Sequence, residues 1–269
     1  MNKKFLILGA ITGDVIGSSY EWNNVKTTDF DIFGRNFDFT DDSVLTFATV
    51  DVLLNNKDYT ETYQKYAREY PGRGYGGRFN KWIHTENPKP YNSWGNGSAM
   101  RISPIGWACS TIEDVMAEAK RSAEVTHNHP EGIKGAQAAA IAVFMARTGR
   151  SKDEIKEFIT ETFNYNLNRK IDEIRPQYRF DESCQGTVPE SIIAFLESTN
   201  YETSIKLAIS LGGDSDTIAC ITGGIAEAFY KEIPVNILER VTEVLPLDIL
   251  DLISEFSQKF RKMKIDIGA

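Results

Sequence analysis

LGGDSDTIACITGGIAEAFY, residues 211–230, is the stretch from which the rest of the chain is read. Gly212 and Gly213 can end one helix by supplying positive φ, and Asp214, Ser215 or Asp216 can cap the next. No charge follows until Glu227, so the helix from Thr217 onward is apolar enough to be buried. Ala219, Gly223 and Ala226 give it a stripe of small residues. Two carboxylates and the Thr217 hydroxyl therefore stand at the mouth of a buried helix. Hard divalent cations take oxygen ligands of this kind. A plain helix cap has the same look, so the weight falls on whether a second acidic cluster exists.

Such a cluster lies near the N-terminus. Thr40-Asp41-Asp42-Ser43 precedes Leu45, Ala48 and Val52, which share one helical face. Carboxylates are favoured at a helix N-terminus by its free N–H groups and macrodipole. That accounts for one aspartate, and two behind a threonine exceed what a cap needs. Upstream, residues 5–20 read as a helix in which Gly9, Gly13 and Gly17 recur every four positions on one face. Each glycine costs about 1 kcal/mol of helix stability against alanine. Three on one face predict that another backbone packs very close there. Asp14 reads as an interior polar residue bonded to neighbouring backbone, and Glu21 as a solvated helix end.

The remaining chain is helical in period. Helices are expected over 59–70, 79–84, 111–126, 131–146, 151–163, 190–197 and 203–211, then from Pro234 and over 248–264. Residues 23–39, 71–77 and 164–183 read as loops, 87–91 as an extended turn region, and 185–189 as the lead into the 190–197 helix. No alternating run of strand length occurs, so the expected fold is all-α, one compact domain over 1–269 built as an orthogonal helix bundle. The turn Gly95-Asn96-Gly97-Ser98, expected to enter a helix through Met100, can present backbone N–H groups to an anion. His127 and His129 are the paired histidines. No further Cys or His stands at zinc-ligand spacing, which favours a substrate or structural role for them.

The chain of 269 residues has 41% apolar and 25% charged residues, as a soluble globular protein does, and a net charge of −8. Bulk charge argues against nucleic acid as a partner. No run of ~18 apolar residues offers a membrane span. The short apolar run after Met1-Asn2-Lys3-Lys4 meets Asp14 without a small-residue cleavage site, so it does not read as a signal peptide. Cys109, Cys184 and Cys220 are scattered and odd in number, which suits a reducing compartment. The expected location is the cytoplasm.

If both acidic helices lie in one core, their N-termini can converge four carboxylates and two threonine hydroxyls. Buried carboxylates in such number need cations to compensate them. Two Mg²⁺ or Mn²⁺ ions would do so and could orient substrate hydroxyls and a water.

The ordered motifs resemble the ADP-ribosylglycohydrolases, the family of the dinitrogenase-reductase-activating glycohydrolase and ADP-ribosyl-acceptor hydrolase type. The matches are Gly13-Asp14-Val15-Ile16-Gly17 with Glu21, Thr40-Asp41-Asp42-Ser43, Gly95 to Arg101 with Pro104 and Gly106, Thr126 to Pro130 with Gly135-Ala136, and Gly212 to Thr217. Ser43 stands where the family often has threonine, which keeps a hydroxyl. The resemblance implies metal ligands at Thr40, Asp41, Asp42, Asp214, Asp216 and Thr217, with Glu21 also able to reach the metals. It implies that Gly95, Asn96, Gly97, Ser98 and Met100 face the diphosphate of an ADP-ribose substrate, with His127 and His129 on the substrate side. Asp41 and Glu21 are the candidate catalytic bases. The expected activity is metal-dependent cleavage of the glycosidic bond between ADP-ribose and an acceptor, first of all arginine on a protein. The alternatives are an O-linked conjugate (ADP-ribosyl-serine or O-acetyl-ADP-ribose) and a non-catalytic ADP-ribose-binding protein. Acceptor choice is expected to lie in the loops 20–39 and 71–94.

Overall fold

The computed structural model describes residues 5–261. Fourteen α-helices and one 3-10 turn make up the regular structure among them, with no strand and a single isolated bridge between Gly95 and Ser183. The all-α expectation holds.

The architecture is set by one helix pair. α1 (Leu8–Gly17) is buried along its whole length and packs most extensively on α12 (Ser215–Tyr230). The glycine stripe is the reason. A Cβ at Gly13 would lie 2.0 Å from the Ala219 carbonyl oxygen, and one at Gly9 would lie 2.4 Å from that of Gly223. A Cβ at Gly17 would lie 2.5 Å from Asp216 Cα. These contacts make the two helices antiparallel with backbones touching. They fix the register so that the N-terminus of α12 meets the C-terminus of α1. The helix propensity lost at the glycines is offset by this close packing.

α7 (Pro130–Arg147), α10 (Cys184–Glu197) and α11 (Tyr201–Ser210) complete the layer around α12. α2 (Asp41–Asn55) starts where α1 ends, and α3 (Tyr59–Glu69) and α14 (Leu247–Phe260) cover it. α6 (Ile112–Glu124) and α8 (Lys152–Phe163) pack on α7, while α5 (Ser103–Ala108) lies between α7 and α2. α4 (Gly77–Trp82), α9 (Ile171–Ile174) and α13 (Val235–Thr242) are peripheral. Several helix starts carry the caps their sequences offer: Asp58, Thr111, Ser151 and Asn200 each accept a backbone N–H of the following turn.

Three expectations change. α10 begins at Cys184, not at residue 190, and holds Pro189 inside it. Ser183 caps it by accepting the Gly186 N–H, while Pro189 removes one ladder bond and crowds the Gln185 carbonyl. The loop 164–183 contains the short α9. The Gly95–Ser98 turn enters the three-residue 3-10 turn Asn96–Ser98, and the next α-helix begins only at Ser103. The expected last helix ends at Phe260, and its residues 262–264, like residues 1–4 of the signal-like start, lie outside the described residues. No helix among the described residues is long and apolar enough to cross a membrane.

Candidate active site

The register of α1 on α12 brings the two acidic clusters together. Asp14 points from α1 to the start of α2, where its carboxylate accepts the Thr40 N–H (2.9 Å), the Thr40 hydroxyl (2.6 Å) and the Ser43 N–H (3.1 Å). The Ser43 hydroxyl donates to the same carboxylate. Asp14 thereby ties the N-terminus of α2 to α1. Thr40 is the N-cap of α2 and accepts the Asp42 N–H. Asp214 occupies the N-cap position of α12, yet its side chain makes no capping bond. Its Oδ2 accepts from the Asn96 amide at 2.6 Å instead. A cap therefore does not explain Asp214. Gly212 and Gly213, at φ 67° and 74°, shape the turn before it, and the Asn24 side chain bonds both polar groups of Gly213.

Two groups of carboxylates have oxygens within 4.8 Å of one another among the described residues: Asp14, Asp42 and Asp216, and Glu21, Asp214 and Asp216. Asp216 belongs to both. Thr217 donates to Asp42 Oδ2 at 3.3 Å. Two oxygens, Asp42 Oδ1 and Asp216 Oδ1, are fully buried without a hydrogen-bond partner. A buried carboxylate oxygen in this state costs a few kcal/mol unless something compensates it. Burial pushes the carboxylate pKa values up throughout. Asp14 is pushed up to about 6 by desolvation, against its hydroxyl and backbone donors. Glu21 rises to about 7 through desolvation and the charges of Asp214, Asp14 and Glu182. Asp41, Asp42 and Asp216 are pushed well above the usual carboxylate range, by burial first and by neighbouring acids next. An all-oxygen set with two unmet buried oxygens fits a hard divalent cation by its donor chemistry.

A cleft opens over this cluster. Glu21, Thr40, Asp41, Asp42, Asp214, Asp216 and Thr217 line its floor. Gly95, Asn96, Gly97, Met100 and His127 line one wall. Asp41 lines the cleft but belongs to neither close carboxylate group, and its backbone N–H is held by the Arg73 carbonyl.

Other sequence-based placements are corrected. The Ser98 side chain is fully buried and donates to the Gly132 carbonyl at 2.8 Å, so it faces the core. His129 caps α7, its Nδ1 accepting the Glu131 N–H, and its ring packs on Trp94 outside the cleft. Asn96 turns its amide to Asp214 and Thr187, and its own N–H to the Glu182 carbonyl. It therefore supports a carboxylate of the floor. Glu21 is half-buried at the cluster and is no solvated helix end.

The sequence reading missed Asp14 as a member of the cluster, and it missed Arg101, Phe180 and Glu182 as cleft residues. Arg101 was visible in the Gly95–Arg101 motif. Phe180 and Glu182 sit in a loop that reaches the cleft only through tertiary packing. At the rim the exposed Trp22 ring stacks on Phe180, centroids 5.5 Å apart and planes 20° from parallel.

A family model described as ADP-ribosylglycohydrolase matches residues 5–265. ADP-ribosylhydrolase ARH3 of Homo sapiens is 29% identical, the match covering 83% of this chain and 84% of that one. ADP-ribosylarginine hydrolase Tri1 of Pseudomonas putida is 26% identical over 51% of this chain and 38% of its own length. A solved structure titled ADP-ribosylglycohydrolase-related protein complex superposes with a TM-score of 0.72 at 23% identity, covering 95% of this chain and 96% of that one, which shows the shared fold. With its motifs in order, its fold shared and the family model spanning nearly its whole length, the chain belongs to the ADP-ribosylglycohydrolases, hydrolases of ADP-ribose linkages.

Proposed function

We propose that the protein is a divalent-metal-dependent hydrolase that releases ADP-ribose from arginine on proteins. The observation that carries the metal is the pair of buried, partnerless oxygens on Asp42 and Asp216, inside two carboxylate groups that share Asp216. One ion in each group, Mg²⁺ or Mn²⁺, would be held by Asp14, Asp42 and Asp216 and by Glu21, Asp214 and Asp216. Thr40 and Thr217 would add hydroxyl oxygens, and Asp41 would reach the ions from the cleft side. When bound, the ions supply Lewis-acid polarisation of sugar hydroxyls and water.

The chain's own residues do the rest. Glycosidic cleavage passes through an oxocarbenium-like state, which nearby carboxylates stabilise. As the bond from the anomeric carbon to the acceptor nitrogen breaks and the bond to water oxygen forms, a base takes a proton from that water and passes it to the leaving nitrogen. Glu21 is the first candidate for that base: it lines the cleft, half-buried beside Asp214 and Asp216. Asp41 is the second. The Gly95–Gly97 wall, with Arg101 and His127 behind it, offers donors to the diphosphate in an otherwise acidic protein.

Arginine is favoured as acceptor by the rim. Trp22 stacked on Phe180, beside Glu21 and Glu182, suits a planar cation that can lie on an aromatic face and pair with carboxylates. The name of the Pseudomonas relative points the same way. The experiment is release of free ADP-ribose from arginine-ADP-ribosylated protein, with Mg²⁺ and with EDTA, beside a serine-linked substrate. Metal-dependent release from arginine is expected. Release from serine alone would keep the chemistry and change the acceptor. Binding of ADP-ribose without release from either would make this a binding protein.

A further inference from the structure

Behind the cleft wall lies a buried chain of polar groups that metal chemistry does not use. Arg101 is completely buried, and no carboxylate pairs with it among the described residues. Its Nη2 donates to the Ser122 carbonyl at 2.8 Å and to the Thr126 hydroxyl at 3.1 Å. The guanidinium lies over the Tyr63 ring at 4.4 Å, at the C-terminal end of α6, where the helix carbonyls favour a cation. Thr126 Oγ1 in turn lies 2.7 Å from His127 Nδ1. His127 is buried, lines the cleft, and turns its Nε2 to the Gly95–Gly97 turn: a Cβ on Gly97 would stand 3.3 Å from Nε2, and one on Gly95 3.6 Å.

We propose that Arg101 and Thr126 act as positioning residues that hold His127 in its neutral Nε2–H tautomer, presenting a donor to an anionic phosphate oxygen of the substrate at the Gly95–Gly97 turn. The argument is one of proton accounting. Arg101 can only donate, so Thr126 Oγ1 accepts from it. The hydroxyl's own proton then needs an acceptor, and His127 Nδ1 is the one within reach. With the proton on Nδ1 instead, the fully buried Thr126 O–H would be left without an acceptor, at a cost comparable to any orphaned buried donor. The nearby guanidinium also favours a lone pair over an N–H on the side of the ring that faces it. Burial and the Arg101 charge push the imidazole pKa well below its ordinary value, so the ring stays neutral. The sole remaining ring proton therefore sits on Nε2, on the cleft side.

The phosphate half of this inference rests on the proposed function; the tautomer half does not. The test is a long-range ¹H–¹⁵N correlation spectrum of the uniformly labelled full chain at neutral pH. The sequence has three histidines, and His84→Gln and His129→Gln variants assign the third by elimination. The expected pattern for His127 is a protonated Nε2 and an unprotonated Nδ1. A proton on Nδ1, or on both nitrogens, would overturn the inference. Thr126→Val is expected to move His127 to a mixed or Nδ1–H pattern, and Thr126→Ser to restore Nε2–H; Thr126→Ala replaces the valine variant should that not fold. An unchanged Nε2–H pattern in the hydroxyl-free variant would overturn the role of Thr126. ADP-ribose affinity is expected to fall about tenfold in Thr126→Val and to return within about twofold in Thr126→Ser, the size of one hydrogen bond to a charged group. Failure of ADP-ribose to bind the wild-type protein, with the tautomer as expected, would contradict the diphosphate assignment and the proposed function while leaving the relay in place.

Discussion

The α1–α12 pair buries carboxylates at both of its ends, and the two ends treat them in opposite ways. At one end Glu227 of α12 is buried against the start of α1, where Ile7 sits at φ 67° and supplies no cap. The Glu227 carboxylate stands in for that cap: Oε2 accepts the Gly9 N–H at 2.9 Å, and the Leu8 and Ile7 N–H groups contribute as well. At the other end Asp216 Oδ1 and Asp42 Oδ1 meet no donor at all among the described residues. Both ends lie on the same glycine-packed helix pair, joined at the site end by Asp42 of α2, and both bury carboxylates. Burial of an acid alone thus does not mark a site. Unmet oxygens that converge in a cluster of carboxylates do; Glu131 and Glu190 also hold an unmet oxygen, but each is paired with a cation, Lys134 and Arg169, outside the cluster.

Asp216→Asn gives the largest separation between the two ends. Asp216 belongs to both carboxylate groups, so its loss is expected to lower the hydrolysis rate by about 10³-fold or more, some 4 kcal/mol in barrier. The same change relieves repulsion, so the metal-free variant should melt no lower than metal-free wild type. Circular dichroism melts beside the ADP-ribose release assay check both statements.

Gly13→Ala attacks the register that creates both ends. The added Cβ would meet the Ala219 carbonyl oxygen at 2.0 Å, which backbone cannot yield cheaply. A destabilisation of about 3 kcal/mol, or failure to fold, is expected from overpacking of this kind. Chemical denaturation measures it, and a shift under about 0.5 kcal/mol, the usual range for a surface change, would contradict the packing account.

The sequence made this pair legible because both of its signals are local. A glycine every four residues states that a backbone comes close, and an uncharged run states burial. Asp14 was harder to place. Its four contacts to Thr40 and Ser43 are those of a satisfied core aspartate, and its nearness to Asp42 and Asp216 arises only once three helices converge. Ser98 and His129 show the converse: a motif places a residue beside the cleft, but rotamer and capping decide which way the side chain faces. Phe180 and Trp22 meet from loops some 158 positions apart in sequence, which no local pattern encodes.

Asn96→Ala sharpens the comparison more gently. It removes the donor to Asp214 Oδ2 and leaves the other carboxylates in place. Loss of such a supporting bond is expected to weaken metal affinity or activity about 10–100-fold. Titration of activity against Mg²⁺ separates this from a loss of diphosphate contact, which would leave the metal dependence unchanged.

Acidity gives the smallest and most specific effect. Glu227 is raised to about 8 by burial, against its backbone donors. A raised acid contributes stability that is complete below its unfolded value of 4.5 and is lost as pH rises through about 8. Glu227→Gln should remove its part of that slope and leave ADP-ribose release unchanged. Asp14 at about 6 and Glu21 at about 7 give the metal-free protein a further fall in stability between mildly acidic and neutral pH. A cation bound at the site end would abolish that second fall and not the first. Melts across pH 5–8 with Mg²⁺ and with EDTA, on wild type and Glu227→Gln, resolve the two.

The most direct test is a Mn²⁺ titration followed by electron paramagnetic resonance, on wild type, Asp216→Asn and Glu227→Gln. The account predicts two bound ions on wild type and on Glu227→Gln, and loss of tight binding on Asp216→Asn. No binding to wild type, or equal binding to Asp216→Asn, would contradict it: the unmet oxygens would then not be a metal site.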